Sequence, residues 1–206
     1  ITCCAMNDLK KRCVDISYRH KLTHVSSVLN SVDVIDEIYK NKKVDEPFVL
    51  GNAHASLALF AVLEKYGYCD AEEMVERHGT HSCRDMAHGV WVSGGSLGQA
   101  ETVAVGLALA DPETNVWLVT SDGACMEGAV WEALRIAELK CPNLNVHVIS
   151  NGLGAYGPIQ SNWVGSAVGP HATIHNVQSM SYPEWLRGLP GHYLTLTPDQ
   201  HRELMT

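Results

Sequence analysis

The sequence has no internal repeat, no low-complexity tract and no linker-like stretch. Its seven cysteines are odd in number and form no C-x-x-C pair, which argues against a disulfide framework or a cysteine zinc site and for reduced thiols in a cytoplasmic protein. No apolar run is long enough to span a bilayer, and no secretory signal is visible, so a membrane role is not expected. Basic charge is in short supply. With 15 Lys and Arg against 23 Asp and Glu, the formal net charge of −8 makes nucleic acid a poor partner. Neither G-x-G-x-x-G nor G-x-x-x-x-G-K-[ST] occurs in a suitable place, which removes the common nucleotide-binding loops. The first residue is Ile rather than Met, so a trimmed or processed N-terminus is expected.

What the sequence does contain suits a folded core: 46% of its 206 residues are hydrophobic and 18% charged. Helical spacing of apolar residues runs over Met6 to His20. It runs again from a cap at Ser26 or Ser27 through Tyr39, with Val28, Leu29, Val32, Ile35 and Ile38 inward. Pro47 to Leu50 reads as a short strand, His54 to Tyr66 as a helix and Ala71 to Arg77 as a short exposed one. Val90-Trp91-Val92 leads into the loop Ser93 to Gly98, and a small-residue helix follows over Gln99 to Leu109. Asn115 to Thr120 is a continuous apolar strand, as expected where both sheet faces are covered. Ser121-Asp122-Gly123 turns into a helix over Gly128 to Leu139, and the strand Val146 to Ile149 runs into Ser150-Asn151-Gly152. Beyond about Ala155 the pattern weakens: Gly157 to Pro170 reads as loop, Ala172 to Val177 as a strand, and Pro183 to Leu186 and Pro198 to Met205 as helices. Alternating strands and helices predict a single α/β domain over 1–206 with a mostly parallel sheet, whose ligands lie beyond the carboxyl ends of the strands. Both Asp122 and Asn151 fall at such ends.

Asp122 offers a hard anionic oxygen and Asn151 a neutral amide oxygen. Carbonyls, phosphate oxygens and water would complete a shell suited to Mg²⁺ or Ca²⁺. Gly123 permits close approach of a diphosphate to the backbone at a helix start. Taken singly these features are ordinary: Asp-Gly after a strand usually marks a turn, a Gly-rich loop often marks tight packing, and a histidine at a helix start is commonly a cap. Glu127 reads equally as a first-turn acid, Glu132 as structural, and Cys125 as a small filler.

Together, four ordered blocks resemble the transketolase family. SDGACMEGAVWEALRIA with Asn151 resembles the thiamine-diphosphate motif of Gly-Asp-Gly followed some thirty residues later by Asn. KLTHVSSVLNSVDVIDEIY is similar to the Ser-Gly-His-Pro-Gly helix start, FVLGNAHASLALFAVLEKYGY to the Leu-Ser-x-Gly-His-Ala block, and GVWVSGGSLGQAETVAVGLALA to the Gly-Ser-Leu-Gly-Gln-Gly stretch. The resemblance covers about residues 15–157. It departs at Ser121 for Gly, at Ser150 and Gly152 around Asn151, at Asn52-Ala53 before His54, and at Thr23-His24-Val25-Ser26 for Gly-His-Pro-Gly.

The resemblance implies a three-layer thiamine-diphosphate-binding fold. It places Asp122, Asn151 and the Leu153 carbonyl on the metal, and His54, Gly95, Ser96 and Gly123 on the diphosphate. Leu97 would pack beside the aminopyrimidine. His24, His54, His81 and Glu127 become the catalytic candidates: His24 and His81 would face a ketose, and Glu127 would lie at a subunit boundary. Transketolases place a further diphosphate-facing histidine downstream of the Asn. His192, in GLPGHYLTL, is kept as that candidate, although a surface position is its ordinary reading. The family also needs a pyrimidine-binding domain, for which 206 residues leave no room. The expectation is therefore a partner subunit carrying it, a dimer of such pairs, sugar-phosphate substrates, and an apolar face around Gly128 to Leu139. A non-catalytic or regulatory thiamine-diphosphate-binding module, and a component resembling deoxyxylulose-phosphate synthase, stay open as alternatives.

Overall fold

The computed structural model describes residues 6–154, 157–169, 172–177 and 182–206. In chain order the helices are α1 (Asp8–Arg19), α2 (Val25–Asn41), α3 (Ser56–Lys65), α4 (Ala71–His78), α5 (Gln99–Ala110), α6 (Gly128–Lys140), α7 (Ser161–Val168), α8 (Gly188–Tyr193) and α9 (Pro198–Met205). The strands are β1 (Phe48–Leu50), β2 (Val116–Ser121), β3 (Leu144–Ser150), β4 (Leu153–Gly154), β5 (Gly157–Pro158) and β6 (Ala172–Asn176). The chain forms two compact units.

The first unit comprises Ile1–Lys40, His54–Ser82 and Gln178–Thr206 and is helical in its described parts. Local chemistry starts its helices. The Asn7 side chain accepts the Lys10 N–H at the head of α1, and Asp70 accepts those of Glu72 and Glu73 at the head of α4. Thr197 and Gln200 form a reciprocal capping box on α9, with Pro198 in its first turn. The C-terminal segment is anchored by packing: Tyr182, Leu186, Leu196 and Leu204 share one buried cluster with Val14, Val25 and Leu29. Here the sequence pattern is least informative. Pro183 to Leu186 forms a 3-10 turn over Glu184–Leu186, and α8, unanticipated, carries His192. The second helix begins at Val25 rather than behind a cap at Ser26 or Ser27, because His24 already supplies the first helical carbonyl, to Val28 N.

The second unit, Asn41–Ala53 with Cys83–Val177, holds an all-parallel sheet of order β1-β2-β3-β6. Its helices α5, α6 and α7 flank the sheet, giving the expected α/β fold with a parallel central sheet. Leu118, Val146 and Val148 of the sheet share a core with Ala100, Ala104 and Ala108 of α5 and with Val130, Ala133 and Leu134 of α6. The small side chains along α5 let it lie close to both the sheet and α6. Gly157 to Pro170, expected as loop, contains β5, which pairs antiparallel with β4, and the helix α7. The helix forms because Val164 and Val168 gain burial in the sheet-side core. Among the described residues no helix is long and apolar enough to cross a membrane.

Candidate functional site

The register that pairs Ser121 of β2 with Ile149 of β3 sets the two strand ends side by side. Asp122 follows β2 and is 1% exposed. Its Oδ1 accepts the Gly123 N–H at 2.9 Å. Its Oδ2 accepts the N–H groups of Asn151 at 2.9 Å and Gly152 at 2.7 Å, and the Ser150 hydroxyl at 3.3 Å. One carboxylate thus ties the loop after β3 to the end of β2. Burial raises the Asp122 pKa, while these four donors each favour the anion. A cation beside the carboxylate would reinforce the donors.

Asn151 Oδ1 accepts the Leu153 N–H at 2.9 Å, forming an Asx turn. A Cβ built on Gly123 would come 3.8 Å from the Leu153 carbonyl oxygen, so that carbonyl lies beside the Asp122-Gly123 turn. The donor set is chemically suited to a hard divalent ion. Among the described residues, Asp122 Oδ1 and Asn151 Oδ1 each accept one hydrogen bond and keep a lone pair, and Leu153 adds a main-chain oxygen. Among the described residues no three His, Cys, Asp or Glu side chains group as a metal centre, and this set contains only one of those residue types. Gly123 is in ordinary right-handed geometry (φ −60°), so what glycine gives there is bare backbone rather than an unusual dihedral.

The loop before α5 is built on glycine for steric reasons. A Cβ at Gly94 would overlap that of Ala53, and Gly95 (φ +136°) and Gly98 (φ +85°) occupy backbone regions that side chains disfavour. Ser96 accepts the Gln99 N–H at the head of α5, and Leu97 packs half-buried against the second unit's core. Gly98 caps α5, and a Cβ there would meet the Glu127 Cβ at 3.1 Å, so Glu127 sits beside this loop at the head of α6.

In the first unit the structure gathers histidines. His24 Nδ1 lies 2.8 Å from His192 Nε2, and the His24 N–H donates to the His192 carbonyl at 2.9 Å. The His54 ring centroid is 5.1 Å from that of His24 and 5.4 Å from that of His192, and Tyr193 closes against His192 at 4.9 Å. His24 holds φ +64°, a left-handed conformation rare for a side-chain-bearing residue and often kept for function. Burial, then the neighbouring histidine charges, lowers the pKa of His24 to about 4 and of His54 to about 3. Burial also lowers His192. At neutral pH these rings are uncharged and each can both donate and accept a proton. His81 is exposed, and its charge is felt at His24 and His54.

His192 therefore departs from its surface reading: it belongs to the histidine group. Ser150, Gly152 and Ser27 were not singled out as site residues, yet Ser150 and Gly152 bond Asp122, and Ser27 contacts His192. Only Gly152 carried a sequence signal, since a Gly after Asn at a strand end marks a turn that needs positive φ, here +78°.

A parallel sheet flanked by helices, with a carboxylate-bound loop at its strand ends, defines a protein of the α/β class. Sequence comparison is more specific. No protein-family profile matches the chain. It is 27% identical over 170 residues to an apulose-4-phosphate transketolase subunit of Phocaeicola vulgatus, a match covering 72% of this chain and 60% of that one. It is 32% identical over 135 residues to the 6-deoxy-6-sulfo-D-fructose transketolase subunit SqwG of a Clostridium species, covering 55% and 49%. To the transketolase of Buchnera aphidicola it is 26% identical over 190 residues, covering 76% and 28%. The chain is similar to transketolases, and transketolase subunits are among its matches. It spans less than two thirds of the length of these relatives.

Proposed function

We propose that this chain is the diphosphate- and metal-binding subunit of a two-component, thiamine-diphosphate-dependent transketolase that moves two-carbon ketol units between sugar phosphates. The observation that carries the reading is the buried Asp122 carboxylate gripping the Asn151-Gly152 loop, with the Leu153 carbonyl beside it. Asp122, Asn151 and the Leu153 carbonyl would hold Mg²⁺ or Ca²⁺, and bare backbone at Gly95 and Gly123, with Ser96, would face the diphosphate. Leu97 would pack against the aminopyrimidine. Bound thiamine diphosphate would supply the carbon that carries the two-carbon fragment. His54 would meet phosphate oxygens as a neutral donor, His192, whose ring nitrogens face His24 and Ser27, would support that side of the cofactor site, and His24 and His81 would hold and move protons at the substrate hydroxyls. Glu127 would stand at the boundary with a partner.

The partner would be a subunit bearing the pyrimidine-binding domain, joined to a dimer of such pairs. Supporting this, Ile136 and Leu139 of α6 are 47% and 72% exposed, with Trp131 on the same helix and Val103 and Leu109 on the adjoining α5 also exposed. The test is to titrate thiamine diphosphate with Mg²⁺ into the chain alone and into a mixture with a candidate partner, following ketose turnover. Cofactor binding by the chain and turnover only in the mixture is the expected result. Turnover by the lone chain would remove the two-component reading, and absence of metal-dependent cofactor binding in both samples would remove the function.

A further inference from the structure

Ser27 lies in the first turn of α2, buried, with its hydroxyl 3.3 Å from His192 Nδ1. The opposite nitrogen of the same ring, Nε2, lies 2.8 Å from His24 Nδ1. Three groups on two distant segments thus form one line: Ser27 Oγ, the His192 ring, the His24 ring. A short contact between two imidazole nitrogens holds one proton, since two bare nitrogens repel and two N–H groups collide.

Only two arrangements of neutral rings satisfy both contacts. In one, the Ser27 hydroxyl donates to His192 Nδ1, His192 Nε2–H donates to His24 Nδ1, and His24 carries its proton on Nε2. In the other, His24 Nδ1–H donates to His192 Nε2, His192 Nδ1–H donates to Ser27, and His24 Nε2 is bare. Passing from one to the other moves each shared proton one place along the line, with the His24 Nε2 proton leaving to solvent and a proton from solvent restoring the Ser27 hydroxyl. Either way the two rings adopt the same tautomer. The backbone bond from His24 N–H to the His192 carbonyl, at 2.9 Å, holds the rings in this alignment, and the left-handed conformation of His24 is part of that geometry.

We propose that Ser27 is a positioning residue: through His192 its hydroxyl, donating or accepting, is coupled to the tautomer of His24, and hence to whether His24 Nε2 donates or accepts a proton. The use of that setting in catalysis rests on the transketolase reading above, whereas the coupling itself does not.

The test is long-range ¹H–¹⁵N NMR of the histidine rings in the full chain without cofactor, with His24 and His192 assigned from His24→Gln and His192→Gln. The expected result is one shared tautomer for the two rings in the parent protein. Ser27→Ala should then shift the ring nitrogens of both His192 and His24, although Ser27 does not touch His24, and Ser27→Thr, which keeps the hydroxyl, should restore both. Opposite tautomers in the parent protein would overturn the proposal even if the alanine variant failed to fold. So would a Ser27→Ala spectrum in which only His192 responds. A failed cofactor titration would leave a positive tautomer result standing, so the two readings fail separately.

Discussion

The Asp122 carboxylate accepts the backbone N–H of Gly152 at 2.7 Å, so the residue that closes β2 holds the loop that leaves β3. The contact joins positions 30 apart in sequence and explains why Gly152, a departure from the family pattern, leaves the strand-end geometry intact. A side chain at 152 has no role in it; the backbone N–H does.

Asp122→Ala should cost stability and metal binding together. It strips the partner from three backbone N–H groups, those of Gly123, Asn151 and Gly152. The expected loss is on the order of 3 kcal/mol by chemical denaturation. Asp122→Asn keeps the shape and halves the acceptor capacity, so it should remain folded yet lose Mg²⁺-dependent thiamine diphosphate binding by at least about 10-fold in calorimetry. Parent-like affinity in that variant would sink the metal assignment. Because burial raises the Asp122 pKa, protons should compete with the metal as pH falls, and affinity should drop with it.

Two glycines are tests of packing. Gly152→Ala places a side chain at φ +78° and should destabilise by about 1 kcal/mol. Gly191→Ala should act through crowding, because a Cβ there would overlap the Leu186 backbone. Its signature is a displaced α8: the His24 and His192 ring signals should shift.

The histidines make acid stability predictable in sign. His24 and His54 have folded pKa values of about 4 and about 3, below the ordinary 6.5. The unfolded chain binds these protons first, so their contribution is complete above about pH 6.5 and is lost as pH falls toward the folded values. Denaturant midpoints should decline from about pH 6.5 to about pH 4, and His54→Gln should reduce that slope by up to one proton. An unchanged slope would show that His54 is not buried as a neutral ring.

Ile136→Lys with Leu139→Lys should leave the fold unaltered, since both side chains are exposed. The double variant should lose association with the candidate partner or with a second copy, read by light scattering. Full retention of assembly would place the interface elsewhere.

Much of the α/β architecture was legible from local pattern. The continuous apolar run at Asn115 to Thr120, the alternation of strands with helices, and polar residues at strand ends predict a parallel sheet before any coordinates, because burial on both faces demands unbroken apolar strands. The positions of Asp122 and Asn151 at neighbouring strand ends followed from the same pattern. The family blocks, His24 and His54 among them, were legible as ordered motifs.

Other features belong to tertiary structure alone. No periodicity in residues 157–170 announces α7, whose helix depends on Val164 and Val168 reaching the core. Nothing near His192 in sequence announces its contacts with the other histidines of the first unit. Its place beside His24, 168 positions away, is decided by Leu186, Leu196 and Leu204 packing against Val14, Val25 and Leu29. The four hydrogen bonds on Asp122 likewise come from backbone and hydroxyl donors that composition cannot reveal. Sequence by itself determined which segments would be strands and helices and which carboxylate and amide would end two of them, because those properties are written in local spacing. Tertiary structure decided which imidazoles meet and which N–H groups converge on one carboxylate, because long-range packing sets distances between residues that share no local pattern.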